Sequence, residues 1–287
     1  MERTLSIATP NPATTATTVI RPTRGLERLG LGALLAHRDL LLMLALRDIK
    51  VRYKQAVLGV AWAVLQPVAL AGILWLFFGV LLGMDQKVAP TPYLVFVLAG
   101  VLPWTLFESA VTASSNSVVA NAGIVRKVYF PRLIIPLAAA GAPLVDYVLG
   151  LLVLLAAMLL LGVAFSWQLA LLPILVMSTL IAVMGVGILL SALTVAYRDF
   201  RHIVPFLLRL LFFMTPVIYP VAVMPERFRW LLALNPVGGT ISAFRAAVLG
   251  QPIDATAWAL STLTGCICLG VGLVYFQRAQ RRFADIV

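Results

Sequence analysis

The chain has 287 residues, of which 62% are hydrophobic and only 11% charged, less than half of the roughly 25% usual in soluble domains. This composition excludes a disordered chain and an ordinary soluble enzyme, and it predicts an all-α membrane protein. The net charge of +11 resides in basic residues between the apolar segments, as the positive-inside rule requires, so nucleic-acid binding is not expected.

The segment before the first apolar block divides into two parts. Residues 1–32 are rich in Thr, Pro and Ala and lack the apolar core of a secretory signal, which predicts a flexible cytoplasmic tail. Residues 33–56 predict an amphipathic helix lying at the membrane surface, although Leu44 and Val51 interrupt its polar face. Its predicted apolar stripe consists of Leu35, Leu42, Leu46, Ile49 and Tyr53.

Six apolar stretches follow, each about as long as a bilayer-spanning helix requires. The predicted spans lie at about 57–83, 93–113, 138–164, 168–195, 203–220 and 256–276, within a six-span membrane domain of residues 57–282. Six spans place both termini on one side. That side would carry 17 Lys and Arg residues against four on the other, which predicts cytoplasmic termini.

Residues 224–250 are apolar but broken by prolines and glycines, so no single spanning helix fits them. Two short helices, at about Glu226 to Leu234 and Gly239 to Leu249, could dip into the membrane as a re-entrant hairpin. Such backbone is tolerated only where protein or a water-filled cavity covers it. The alternative is a pair of amphipathic helices lying flat on the outer surface.

The sequence offers little catalytic chemistry of its own. His37 and His202 are the only histidines, and no metal-ligand spacing is present. No lysine follows a glycine, which excludes a phosphate-binding loop for ATP, so any ATP-driven activity requires another subunit. Three ionisable residues lie inside predicted spans, where they could contact substrate or simply pair with other helices or headgroups: Glu108, Asp146 and Arg209.

Several motifs occur together and in order along the chain. They are RDIKVRYKQAVLGVAWAVLQP, FVLAGVLPWTLFESAV, NAGIVRKVYFPRLIIP, TPVIYP, MPERFRWLLALNP and AFRAAVLG. Over about residues 38–282 the chain resembles the membrane permeases of polysaccharide-exporting ABC transporters, the branch that exports O-antigen, capsule and teichoic acid. Within that branch, RYKQAVLG with WAVLQP looks most like O-antigen or lipopolysaccharide export.

The resemblance implies a homodimer in the bacterial inner membrane, with one cytoplasmic ATPase beneath each half. That complex would move a lipid-linked polysaccharide outward. ATP and Mg²⁺ would bind to the ATPase, and no cofactor is expected in this chain. The resemblance also implies that residues 33–56 form an interface helix, that residues 121–132 carry a coupling helix for the ATPase, and that residues 226–249 form re-entrant helices at an external gate.

The predicted ATPase contact combines basic and aromatic side chains, which are typical of interface anchors, with a rigid proline turn. The alternative is that the basic residues only fix the membrane topology. The predicted coupling residues are Arg126, Lys127, Tyr129, Phe130, Pro131 and Arg132, together with Arg198 and Arg201 of the second cytoplasmic connection.

Aromatic rings can pack on the C–H faces of sugars without forming deep traps, which suits a path for a long polymer. The predicted path residues are Trp62, Gln66, Trp75, Phe78, Trp104 and Phe107, although aromatics also serve as interfacial anchors and packing groups. The predicted external gate consists of Glu226, Trp230, Asn235 and Pro236. Two other functions stay open at this stage, a membrane enzyme acting on a lipid-linked sugar and an export permease for small molecules.

Overall fold

The computed structural model describes residues 31–54, 59–88, 91–225, 227, 232, 234–280 and 283. Every regular element within these ranges is a helix. In chain order the helices are α1 Leu31–Ala36, α2 Arg38–Lys54, α3 Ala61–Leu74, α4 Met84–Val88, α5 Tyr93–Ala120, α6 Ala122–Lys127, α7 Ile134–Ala139, α8 Gly141–Leu160, α9 Leu172–Ala196, α10 Phe200–Met214, α11 Gly238–Leu249 and α12 Ala255–Ala279. A π-helical segment, Trp75–Leu81, continues α3, and a 3₁₀ helix, Trp167–Leu171, precedes α9.

Five of these helical segments are long and apolar enough to cross a membrane. They are Ala61–Leu81, Tyr93–Ala120, Ile134–Leu160, Trp167–Ala196 and Ala255–Ala279. They correspond to the first four and the sixth of the predicted spans. The chain is therefore an all-helical, multi-pass membrane protein in the part that the structure describes.

Helix α5 extends beyond the second predicted span, 93–113, and continues to Ala120. The extra turns contain Ser115 and Ser117, whose hydroxyl groups donate to the backbone oxygens of Thr112 and Ser114 at 2.9 and 2.7 Å. These bonds to the helix's own carbonyls satisfy the hydroxyls, so the polar residues do not end the helix.

The fifth predicted span, 203–220, is only partly helical. Helix α10 has 15 residues and ends at Met214, which gives a length of about 22 Å, less than the roughly 30 Å of a bilayer core. Thr215 is extended, with φ −89° and ψ 139°, and Pro216 follows it. A residue before proline disfavours the α conformation, so the helix stops here.

Helix α5 forms the centre of the bundle and is buried along most of its length between α8 and α9. Helix α9 packs in turn against α12, and their backbones approach closely at glycines. A Cβ atom on Gly185 would lie 2.7 Å from the backbone oxygen of Gly265. Small residues of this kind allow close packing of membrane helices.

Most of the region predicted as an interface helix is helical, as α2, and it packs on the protein through a face that the sequence did not predict. Leu44, expected to interrupt the polar face, is buried in a hydrophobic cluster beneath α7. The predicted stripe residues Leu35, Leu42 and Leu46 are exposed on the single chain. Of the predicted tail, residues 1–30 lie outside the described residues.

Candidate functional site

The connection between α5 and α7 lies at one end of the bundle. We call this end the basic end, because the connections at it carry Arg126, Lys127, Arg132, Arg198 and Arg201. The Asn121 amide closes α5 by donating to the backbone oxygen of Ser117 at 2.9 Å. The short helix α6 then leads to Val128, where the backbone becomes extended. Pro131 begins the next turn, since its backbone oxygen accepts the Ile134 N–H at 3.0 Å.

The structure divides the predicted coupling residues into an exposed and an anchoring group. Tyr129 is 90% exposed, and Arg126 and Lys127 are also exposed. Phe130, in contrast, is 7% exposed and belongs to the hydrophobic cluster beneath the connection. Arg132 donates to the backbone oxygen of Gln280, just after α12. Phe130 and Arg132 therefore hold the loop in place and present Tyr129 outward.

The second predicted coupling region lies between α9 and α10. Arg198 and Arg201 are exposed there, next to the exposed ring of Tyr197. Helices α5, α9 and α12 end at the basic end, and helices α7 and α10 begin there. Both connections therefore lie at the same end of the bundle. The arrangement gives one exposed surface that is rich in Arg and Lys and contains aromatic rings.

The loop also contacts α2. The Arg47 guanidinium donates to the Asn121 side-chain oxygen at 2.9 Å and pairs with Asp48 at 2.7 Å. Five residues further along α2, Arg52 pairs with Asp146 of α8 at 2.5 Å. The Tyr53 hydroxyl donates to the same carboxylate, and burial together with that bond raises the pKa of Tyr53 to about 12. Helix α2 therefore joins the loop between α5 and α7, the predicted coupling loop, to α8.

A cavity of about 620 Å³ opens between α3, α5 and α8, beside the Arg52–Asp146 pair. Its polar lining includes Gln66, Glu108 and Tyr147, and a smaller cavity of about 180 Å³ next to it is lined by Trp62. Asp146 thus acts as an interhelical pairing group, one of the roles considered for the intramembrane charges. The Glu108 carboxylate accepts the Trp104 indole N–H at 3.0 Å.

The predicted path residues are not all on one surface. Trp62 is 47% exposed, and Gln66 and Trp75 on the same helix are also exposed, with Phe78 half-buried. Trp104 is only 1% exposed and Phe107 is fully buried. Their two rings lie 5.8 Å apart within the core. The Trp104 ring also lies 5.4 Å from that of Phe212 on α10, so Trp104 and Phe107 are core packing residues in this structure.

The end of the bundle opposite the basic end contains the described part of the predicted gate. The Asn235 side-chain oxygen accepts the backbone N–H groups of Val237 and Gly238 at 3.1 and 3.2 Å, which starts α11. Its amide donates to Thr215 at 2.7 Å. Pro236 is half-buried beside it. Glu226 and Trp230, the other two predicted gate residues, lie outside the described residues.

Helix α11 matches the second predicted helix of the 224–250 segment. Almost all of its side chains are buried, and it packs against α5, α9 and α12. An amphipathic helix lying flat on a surface would expose one face, whereas α11 is covered by protein on most sides. Most of the first predicted helix, at about Glu226 to Leu234, lies outside the described residues.

The sequence did not single out Arg245, which the structure places at the centre of this end. Its buried guanidinium donates to the backbone oxygens of Pro216 and Val217, each at 2.7 Å, and of Phe96 at 3.2 Å. It also lies 3.8 Å from the centre of the Phe96 ring. These carbonyls belong to α5 and to the proline-broken segment after α10. In the sequence, only the prolines of that segment indicated that its carbonyl groups would lack helical partners and would need another donor.

Comparison with known proteins gives a consistent result. The family model described as "ABC-2 type transporter" matches residues 39–249. The O-antigen export system permease protein RfbA of Klebsiella pneumoniae is 31% identical over 251 residues, which are 87% of this chain and 95% of that protein. The protein of the same name from Myxococcus xanthus is 31% identical over 258 residues, 88% of this chain and 96% of that protein.

A further relative has a different substrate in its name. The polysialic acid transport protein KpsM of Escherichia coli is 27% identical over 244 residues, which are 83% of this chain and 92% of that protein. The residues matched by the family model include the loop between α5 and α7, the residues that line the cavity and Arg245.

Proposed function

The chain belongs to the ABC-2 type transporter family, and we propose that it is the membrane permease subunit of an ATP-driven polysaccharide exporter. The observation that carries this function is the 31% identity to O-antigen export permeases over 87% of the chain. We assign O-antigen, linked to a lipid, as the substrate, because the O-antigen permeases match at higher identity than the polysialic acid protein does.

The proposed topology has six crossings of the bacterial inner membrane and both termini in the cytoplasm. The five long helices supply five crossings, and α10 with the non-helical residues Thr215 to Pro220 supplies the other. The 17 to four distribution of basic residues supports the orientation. Helix α2 is then an interface helix whose exposed leucines face lipid, and α11 is the buried half of a re-entrant hairpin.

Fusions to reporters that are active only outside the cytoplasm test this orientation. A reporter inserted at Gln86, between the first and second spans, should be active, and one at the C-terminus should be inactive. The opposite pattern at either position would contradict the six-span topology, whichever substrate the protein carries.

The proposed assembly contains two copies of this chain and two ATPase subunits, which bind ATP and Mg²⁺. The basic end is the ATPase-docking surface, with Tyr129 as its aromatic anchor and Arg126, Lys127, Arg198 and Arg201 around it. Phe130, Pro131 and Arg132 shape the loop from within. Because Arg47 and Arg52 connect this loop to α8, a movement of the ATPase would reach the membrane core through α2.

The proposed path runs along the exposed face of α3. The aromatic and amide groups on that face come from Trp62, Gln66, Trp75 and Phe78. Behind α3, Trp104 and Phe107 of α5 pack in the core. Contacts between sugar faces and aromatic rings are weak enough to let successive sugars leave. At the far end, Asn235, Pro236, Glu226 and Trp230 form the proposed gate, which Arg245 ties to α5.

Deletion of the gene in its source cell tests the function. Loss of the chain should remove the polysaccharide from the cell surface and leave lipid-linked glycan inside. Expression of the intact chain should restore export, whereas the same chain with an inactive form of its partner ATPase should not. Normal surface polysaccharide in the deletion strain, or restoration without ATP hydrolysis, would contradict an ATP-driven glycan exporter.

A further inference from the structure

The end of α12 lies against the coupling loop, the connection between α5 and α7 that carries Tyr129. Arg132 of this loop donates from its guanidinium to the backbone oxygen of Gln280, the residue at which α12 ends. The two residues are 148 positions apart in the chain. This bond therefore joins the proposed ATPase-docking loop to a helix that is distant from it in sequence.

The acceptor in this bond is a carbonyl group that α12 cannot satisfy by itself. The last four carbonyl oxygens of a helix have no N–H partner within the helix, and they form the negative end of its dipole. An arginine side chain stabilises a helix end by donating to these oxygens. Arg132 therefore caps α12, so that the loop and the end of the helix stabilise each other.

Phe283, three residues after Gln280, is a second contact at this place. Its side chain is only 1% exposed, and its ring packs on that of Phe276 in α12 with the ring centres 5.3 Å apart and the planes at 87°. Edge-to-face pairs of this kind contribute to stability beyond the area that they bury. Phe283 thus fixes the end of the helix that Arg132 caps.

The hydrophobic cluster that holds Phe276 and Phe283 is the one in which the coupling loop is anchored. It also contains Phe130 of the loop and Val125 of α6, both of which are buried. The loop is therefore held at the end of α12 in two ways, through the polar contact of Arg132 and through a shared apolar core.

Tyr129 lies between the two points at which the loop is fixed. It directly precedes Phe130, and Arg132 follows three residues later, yet its own side chain is 90% exposed. Side chains and loops that must be ordered during association reduce the affinity, whereas a preorganised loop avoids this cost. The anchoring of the loop therefore favours binding of a partner at Tyr129.

We propose that Gln280 and Phe283, at the end of α12, are positioning residues for ATPase docking. The buried Phe283 ring does not reach the ATPase, and the Gln280 backbone oxygen is occupied by Arg132. The two residues act through Arg132 and Phe130, which keep Tyr129 turned outward. The proposal rests on the proposed permease–ATPase assembly, and it extends the docking machinery to residues outside the two cytoplasmic connections.

Binding of the ATPase to permease variants in lipid nanodiscs tests this role, with the ATPase that co-purifies with the wild-type chain. Phe283→Ala removes a buried ring at the basic end. Phe244→Ala is the matched control, because it removes an equally buried ring of α11 at the opposite end. Both variants should have a lower melting temperature. Only Phe283→Ala should raise the Kd of the ATPase, by about tenfold, and Phe283→Leu should largely restore it.

Hydrogen exchange tests the Arg132 contact without a change in the core. In Arg132→Leu the backbone amides of the last turn of α12 should exchange about two- to tenfold faster, as expected from the loss of one hydrogen bond. In Arg126→Leu, which changes an exposed residue of α6, these amides should exchange at the wild-type rate. Exchange that stays at the wild-type rate in Arg132→Leu would overturn the proposed positioning through this contact.

The binding measurements distinguish three failures. An equal loss of ATPase affinity in Phe283→Ala and Phe244→Ala would show that Phe283 serves only general stability, and would overturn the proposal. An unchanged Kd in Phe283→Ala, while Tyr129→Ala loses the ATPase, would also overturn it and leave docking at Tyr129 intact. A wild-type permease with which no ATPase co-purifies would refute the permease–ATPase assembly and the positioning role with it.

Discussion

Two arginines, one at each end of the bundle, stabilise the protein in different ways. Arg245 is buried and donates to four backbone carbonyls of two separate segments, and no carboxylate pairs with it within the described residues. Arg52 is partly exposed and pairs with a single carboxylate, Asp146. The first arrangement can be replaced only by another buried donor. The second can break and re-form, because water can solvate both partners.

The difference indicates a division between a rigid and an adjustable end. Around Arg245, the start of α5, the segment after α10 and α11 form one block. At the basic end, by contrast, the coupling loop, α2 and α8 are connected through individual side-chain contacts, Arg47 with Asn121 and Arg52 with Asp146. The proposed docking of an ATPase at the basic end would require movable contacts at that end.

The largest expected effect comes from Arg245→Leu. It leaves several buried carbonyls without donors, which should cost at least about 3 kcal/mol of stability. In nanodiscs the melting temperature should fall by roughly 10 °C. Arg52→Leu, the matched change at the other end, should lower it far less. Equal shifts for the two variants would remove the distinction between the two ends.

The next effect separates Phe130 from Tyr129 within the coupling loop. Phe130→Ala removes a buried ring and should cost about 3 kcal/mol. Tyr129→Ala changes a residue that is 90% exposed, so its stability should remain within about 0.5 kcal/mol of wild type. Only Tyr129→Ala should give a fully folded permease that loses the ATPase during purification. A stable Tyr129→Ala variant that retains the ATPase and exports normally would contradict the docking assignment.

A single methyl group tests the rigid end more finely. In Gly100→Ala the new Cβ would lie 2.7 Å from the Val217 backbone oxygen and would overlap the Arg245 guanidinium. Such overpacking should cost about 1–3 kcal/mol. Gly72→Ala is the control, because nothing lies within 4 Å of that position. Melting temperatures that are the same for both variants would show that the Arg245 contacts are loose.

The smallest expected effect is the coupling between Arg52 and Asp146. A double-mutant cycle with Arg52→Ala and Asp146→Ala should give an interaction energy of about 1 kcal/mol, as for a partly exposed pair. The energy should decrease between about 0.05 and 0.5 M salt, because ions screen exposed charges. An interaction energy several times larger, and independent of the salt concentration, would show that this contact is as rigid as those of Arg245.

The sequence predicted the features that depend on composition and local order. Long apolar runs located five spans, and the loop around Tyr129 was predicted as an exposed connection between two of them. The end of α5 at Ala120 could not be read from hydropathy, since Ser115 and Ser117 satisfy their hydroxyls within the helix. The end of α10 depended on Pro216, whose effect the apolar pattern concealed.

The features that the sequence did not reveal depend on contacts between distant residues. Arg245 and Phe96 are 149 positions apart, and the partners of Arg245 are backbone oxygens that have no signature in a sequence. Nor does the motif that contains Tyr129 and Phe130 show which of the two rings is buried. The cavity joins Gln66, Glu108 and Tyr147 only because three helices pack around it.

The most direct test of the central claim is ATP-dependent glycan transport by the purified permease–ATPase complex in proteoliposomes. With lipid-linked glycan supplied on the ATPase side, ATP should move the polysaccharide to the other side, where an added glycosidase reaches it. The Tyr129→Ala permease should show no such movement at an equal amount of protein. Glycan that crosses at the same rate without ATP, or remains on the ATPase side with the wild-type complex, would contradict the account.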